Sequence, residues 1–173
     1  LVFMCDKKEL SGVKKIAAKV CNDVKLVFGF QPDFIDFESS SLSLDEAAGK
    51  SQEALVLFGT AATSSYFRKY LGEDNIERRE VYTFTVEGNK IIIAGSDKRG
   101  AIYGLFHLSE LLGVSPLVNW CGILPAKKKA FELEEGIYIS SEPSVRFRGF
   151  FINDECLFGI MPSMQWLPTS PFL

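Results

Sequence analysis

The stretch KIIIAGSDKRGAIYGLFHLSELLG, residues 90–113, changes its periodicity in the middle. Lys90 to Ala94 carries Ile91-Ile92-Ile93, a β-branched run suited to a pleated strand. From about Asp97 the apolar positions Ile102, Tyr103, Leu105, Phe106, Leu108, Leu111 and Leu112 cover a helix nearly all round. Such a helix is buried on more than one side. Gly113 suits the left-handed position past its end, and Pro116 prevents continuation. Ser96 or Asp97 can cap its start. A strand that turns directly into a buried helix is a unit of an α/β fold.

The same reading extends in both directions. Glu80 to Glu87 alternates as a strand, and Gly88-Asn89 is a hairpin-turn signal pairing it with Lys90 to Ala94. Ala54 to Phe58 is apolar on both faces, as a central parallel strand is, and Gly59-Thr60 ends it. Thr63 to Tyr70 reads as a shorter helix. Near the N-terminus, Leu1 to Met4 reads as a strand. Val13, Ile16, Ala17, Val20, Val24, Val27 and Phe28 then make one stripe of a helix over Ser11–Phe28, with Lys14, Lys15, Lys19 and Lys25 off it. Gly29 and Pro32 close that helix. Phe34 to Phe37 is a second strand, and Ser39 to Ser43 a loop. Downstream, Ala130 to Leu133 and, more strongly, Val145 to Ile152 read as strands. No internal repeat is present. The order of elements predicts a mixed sheet with packed helices over residues 1–142, one strand over 143–155, and an irregular tail over 156–173, where Pro162, Pro168 and Pro171 exclude a helix.

The 173 residues suit one ordinary domain, and 47 % hydrophobic with 24 % charged residues is the balance of a globular chain. Fifteen Phe is a large apolar load, which expects a well-filled core or a face meant for another domain. A net charge of −3 opposes nucleic acid as the main partner, because phosphate binding needs a basic surface. Lys127-Lys128-Lys129 reads as a solvated loop. No stretch is long and apolar enough for a membrane helix. Cys5, Cys21, Cys121 and Cys156 include no C-x-x-C pair and His107 is the only histidine, so neither a zinc site nor a disulfide framework is expected. The chain opens at Leu1 without a basic and apolar leader, as after leader removal or in a fragment.

Two segments carry candidate chemistry. In Gly95-Ser96-Asp97-Lys98-Arg99-Gly100, a helix N-terminus offers N–H groups to an anion, and Lys98 and Arg99 add charge. This is the pattern for recognising a carboxylate such as a uronic acid. The structural alternative is a cap plus an interdomain salt bridge. Neither the dinucleotide Gly-x-Gly-x-x-Gly spacing nor a P-loop is present. Gly100 and Gly104 expect close packing of the helix, and His107 a structural role. The second segment runs from Val145 to Glu155. Period-two alternation sets Val145, Phe147, Gly149 and Phe151 against Arg146, Arg148, Phe150 and Ile152, with Asn153-Asp154-Glu155 at the C-terminal end. In a β/α barrel, that end collects catalytic groups.

Three blocks together resemble glycoside hydrolase family 115, the xylan-directed α-glucuronidases: Ile93 through Leu105, Leu108 through Pro116, and Arg148 through Glu155. The resemblance covers about residues 1–155. It implies an N-terminal α/β domain preceding a (β/α)8 barrel, and removal of glucuronic or 4-O-methylglucuronic acid from xylan by inversion, without a cofactor. It puts Arg148 to Glu155 on the first barrel strand, with Asn153 and Asp154 at the active site. It also puts the loop around Lys98 and Arg99 near the domain interface and the uronate; with Trp120 and Glu155, these are the candidate substrate-binding residues. Glucuronoxylan would be bound through the rest of the barrel. The resemblance further implies a secreted or periplasmic protein and allows a homodimer in the full-length family.

Inverting hydrolysis needs two carboxyl groups roughly 6.5–9.5 Å apart. Asp154 and Glu155 are neighbours and point to opposite faces of an extended chain, so they are not that pair. The second carboxylate is expected outside this chain, which predicts an inactive N-terminal fragment. The chain departs from the family at Leu117-Val118-Asn119-Trp120, where several tryptophans are expected, and after Glu155. The rival readings are a non-catalytic carbohydrate-binding or interaction module using Trp120, Lys98 and Arg99, and a partner that completes a barrel in trans or an inactive remnant.

Overall fold

The computed structural model describes residues 1–37 and 53–149. Its elements are β1 (Val2–Asp6), α1 (Ser11–Phe28), β2 (Asp33–Phe37), β3 (Leu55–Thr60), α2 (Ser65–Leu71), α3 (Glu73–Ile76), β4 (Tyr82–Glu87), β5 (Lys90–Gly95), α4 (Lys98–Leu112), α5 (Val118–Cys121) and β6 (Gly136–Ile139). The chain divides into two compact units, Leu1–Pro143 and Ser144–Leu173.

The first unit is a six-stranded mixed sheet in the order β2-β1-β3-β5-β4-β6. β1 runs parallel to β2 and β3, and β3 parallel to β5; β4 is antiparallel to β5 and β6. The apolar run read as a central parallel strand is β3, buried at every position. It continues through Gly59 and Thr60, which had been expected to end it, because both pair with β5 at Ala94 and Gly95.

Strand alternation divides the core in two. Phe3, Cys5, Val56, Phe58 and Ile93 face α1 and α4, whose Val13, Ala17, Val20, Val24, Leu105, Leu108 and Leu112 close that layer. Val2, Met4, Leu55, Leu57, Ile92 and Ala94 face the other way, against Phe67 and Leu71 of α2. Helices thus cover both faces of the parallel half of the sheet. Gly12 of α1 lies against the Lys98 side chain at the start of α4, and Asp23 accepts from Ser109 Oγ at 2.7 Å near the other end. The two long helices therefore run side by side in the same direction.

The helix ends follow the sequence. Gly29 and Gly113 adopt left-handed φ values of 84° and 89° past α1 and α4. The lysine run is an exposed loop, as read, and it also closes the end of α1. Lys127 Nζ donates to Leu26 O at 2.7 Å and Lys128 N to Val27 O at 3.0 Å. They bring positive charge and donors to the C-terminal end of α1, where both are favourable.

One expected strand is not a strand, and another is described only in part. Over Ala130–Leu133, Phe131 and Leu133 pack on the core, but the free edge of β4 is taken by Gly136–Ile139, from Val86↔Gly136 to Thr83↔Ile139. The ladder position beside β4 is therefore already occupied. In the second unit, Val145 to Gly149 is irregular, with Arg148 Nη1 donating to Val145 O at 2.6 Å. The loop expected at Ser39 to Ser43, Phe150 to Ile152, and the tail 156–173 lie outside the described residues.

Candidate functional site

The turn from β5 into α4 is tied to the chain that enters β4. Asp97 caps α4, its Oδ1 accepting from Gly100 N at 2.8 Å, while its Oδ2 accepts from Glu80 N at 3.0 Å. Ser96 Oγ accepts from Val81 N at 3.1 Å, and Ser96 N donates to Val81 O at 2.8 Å. Glu80 is the one non-glycine among the described residues at positive φ, 59°, and is 3 % exposed. Arg99 Nη1 donates to Glu80 Oε1 at 3.0 Å from a side chain that is 63 % exposed. Both candidate basic residues are thus held within the first unit: Lys98 lies along Gly12, and Arg99 pairs with a buried carboxylate. The position that an external anion would take at the start of α4 is filled by the chain's own Asp97.

Among the described candidates, Lys98 and Arg99 stand at one end of α4 and Trp120 beyond the other. Trp120 is half-exposed on α5, beyond the far end of α4. The 15 residues of α4 span about 22 Å at 1.5 Å per residue, between Lys98 at one end and the chain leading to Trp120 at the other. Asn153, Asp154 and Glu155 lie outside the described residues.

Sequence reasoning missed a second cluster, at the C-terminal ends of β1 and β3. Glu9, in the loop after β1, is 4 % exposed. Its Oε2 accepts from Thr60 N at 2.8 Å and Thr63 Oγ1 at 2.6 Å, and its Oε1 from Leu10 N at 2.9 Å. Thr60 Oγ1 is also in reach, at 3.3 Å and 3.4 Å. Gly59 leaves room for this carboxylate, since a Cβ there would lie 2.9 Å from Glu9 Oε2. The only cues in the sequence were an acid just after an apolar strand and two threonines after another, and neither marks a contact.

His107, Cys5 and Cys21 are further titratable groups of the first unit. His107 sits among Tyr82, Phe84 and Tyr138, with ring centroids 5.8, 5.0 and 4.9 Å away. Burial lowers its pKa, against a smaller upward effect from Glu110. Burial pushes the Cys5 thiol up to about 12, helped by its hydrogen bond to Asp36, and the Cys21 thiol to about 11. Neither is poised as a nucleophile. No helix among the described residues is long and apolar enough to cross a membrane.

No family profile and no curated protein matches the sequence. Among solved structures, the chain is similar to a family GH115 4-O-methyl-α-glucuronidase with specificity for decorated arabinogalactans. The TM-score is 0.72 and the identity 25 %, over 90 % of this chain and 19 % of that one. It also matches a GH138 enzyme targeting pectin rhamnogalacturonan II (TM-score 0.43, 12 % identity, 82 % of this chain and 12 % of that one). A third match is CpGH84D (TM-score 0.44, 15 % identity, 66 % of this chain and 18 % of that one). The chain spans about a fifth or less of the length of each. The first of these likenesses gives the class: an α/β domain with the fold of part of a glycoside hydrolase. More particularly, the fold is similar to about a fifth of that GH115 enzyme.

Proposed function

We propose that this chain is the N-terminal part of a glycoside hydrolase that removes glucuronic or 4-O-methylglucuronic acid side chains from a plant polysaccharide, and that it is inactive by itself. The observation that carries this reading is the likeness to the GH115 α-glucuronidase, a TM-score of 0.72 over 90 % of the chain. The sequence blocks Ile93–Leu105, Leu108–Pro116 and Arg148–Glu155 support the same family. Xylan is the backbone that those blocks imply, whereas the similar solved enzyme is specific for decorated arabinogalactans. The uronic acid is common to both.

In this reading residues 1–142 are a scaffold, Asn153 and Asp154 stand at the first barrel strand, and Glu155 contacts substrate. Asp154 supplies one carboxyl group of the inverting pair. The other comes from a later barrel strand, since Glu155 points away from Asp154 in an extended chain. Arg99, already paired with Glu80, acts in the scaffold.

The test is uronic acid release from glucuronoxylan and from a glucuronidated arabinogalactan by the purified chain. No release above buffer is expected. Turnover that Asp154→Ala abolishes would show the active site to be complete. Calorimetric binding of glucuronate lost in Arg99→Ala would instead favour the binding module.

A further inference from the structure

Open α/β sheets bind ligands in the crevice outside the carboxyl ends of their strands, where successive connections leave to opposite sides. Here that point lies between β1 and β3. From β1 the chain passes through α1, on one face, to β2; from β3 it passes through α2, on the other face, towards β4 and β5. The two diverging loops are Lys7–Leu10 and Ala61–Ser64, and the crevice between them holds the Glu9 carboxylate.

The geometry points to a carboxylate-binding site whose ligand is the chain's own Glu9. The donors are those of an anion site: the Thr60 and Leu10 amides and the Thr63 hydroxyl, at 2.6–2.9 Å, with the Thr60 hydroxyl further out. Hydrogen bonds of N–H and O–H groups to a carboxylate are short and strong, and they gain from exclusion of water. Gly59 removes the Cβ that would press on the anion. The loop is braced as well, since Glu9 N donates to Asp6 O at 2.9 Å and Lys8 N to Asp6 Oδ1 at 2.8 Å. The crevice is therefore built for a carboxylate and closed to any external one. Glu9 joins the β1 loop to the β3 loop as a bound ligand would.

Glu9→Ala removes the carboxylate and leaves its donors facing a space the size of formate. The probe is formate, with chloride at equal ionic strength as the control. At ten times its dissociation constant, formate should raise the Tm of Glu9→Ala by about 3–6 °C, saturably, and leave the unaltered protein unmoved. Adding Thr63→Val should abolish the rise. No rise, an equal rise in chloride, or an equal rise in the unaltered protein would overturn the assignment. If Glu9→Ala does not stay folded, refolding yield gives the same reading. Recovery in formate alone supports the site, and recovery that ignores the anion, or none, counts against it.

Discussion

Gly100 shows how closely α4 lies on the sheet. A Cβ there would meet the Val81 carbonyl oxygen, with the Val81 carbonyl carbon at 3.0 Å. That carbonyl is fixed by its bond from Ser96 N, so it has little freedom to give way. Alanine is the better helix former by about 1 kcal/mol, but overpacking against fixed backbone costs about 1–3 kcal/mol. Gly100→Ala should therefore lower stability in urea titration, and an unchanged or higher midpoint would contradict the packing account. His107 gives a second test at this scale. Its folded pKa lies below its unfolded value of 6.5 because burial disfavours the charged ring. The unfolded chain thus binds more protons between the two values. The contribution is fully present above about pH 6.5 and lost as pH falls through the folded value. His107→Gln should flatten the stability curve below pH 6.5, read from denaturation midpoints between pH 5 and 8. The sequence pointed to a close neighbour for the Gly100–Gly104 pair and to a packed position for His107. It did not show that Val81, Tyr82 and Tyr138 were the neighbours, because those contacts join separate elements.

At the scale of elements, periodicity located every long segment. α1 spans the expected Ser11–Phe28, and the Gly88-Asn89 hairpin pairs β4 with β5 from Glu87↔Lys90 to Tyr82↔Gly95. The failures share one cause: strand identity depends on a neighbour, and a local pattern does not name one. Phe131 and Leu133 alternate without a ladder, whereas Ile137-Tyr138-Ile139, too short to stand out, forms the edge strand β6. Ile137 and Ile139 are 68 % and 50 % exposed on one face of that edge. An exposed apolar edge is a template for intermolecular pairing, which charged side chains suppress. Ile137→Lys should keep stability within about 0.5 kcal/mol while reducing aggregation, measured by light scattering during concentration. Unchanged scattering would show that β6 is not the sticky edge.

For the molecule as a whole, the mixed sheet and its helices were legible, because five of the six strands and both long helices leave local signals. The Glu9 crevice was not, because it exists only where loops distant in sequence converge. The same topology governs how the protein is made. β1 is synthesised before the strands it pairs with, and it lies inside the sheet: Val2 pairs with Asp33 on one side and Leu55 on the other. β3 in turn waits for Lys90 to Gly95. At about 5–20 residues per second, Phe3 and Val56 spend several seconds without their final covering on a growing chain. The β4–β5 hairpin, closed over two residues, forms within microseconds of its appearance. The last strand of the parallel set thus finds a partner at once, while β1, made earlier, is an apolar segment held in waiting. During that interval, chaperones have their best opportunity to bind.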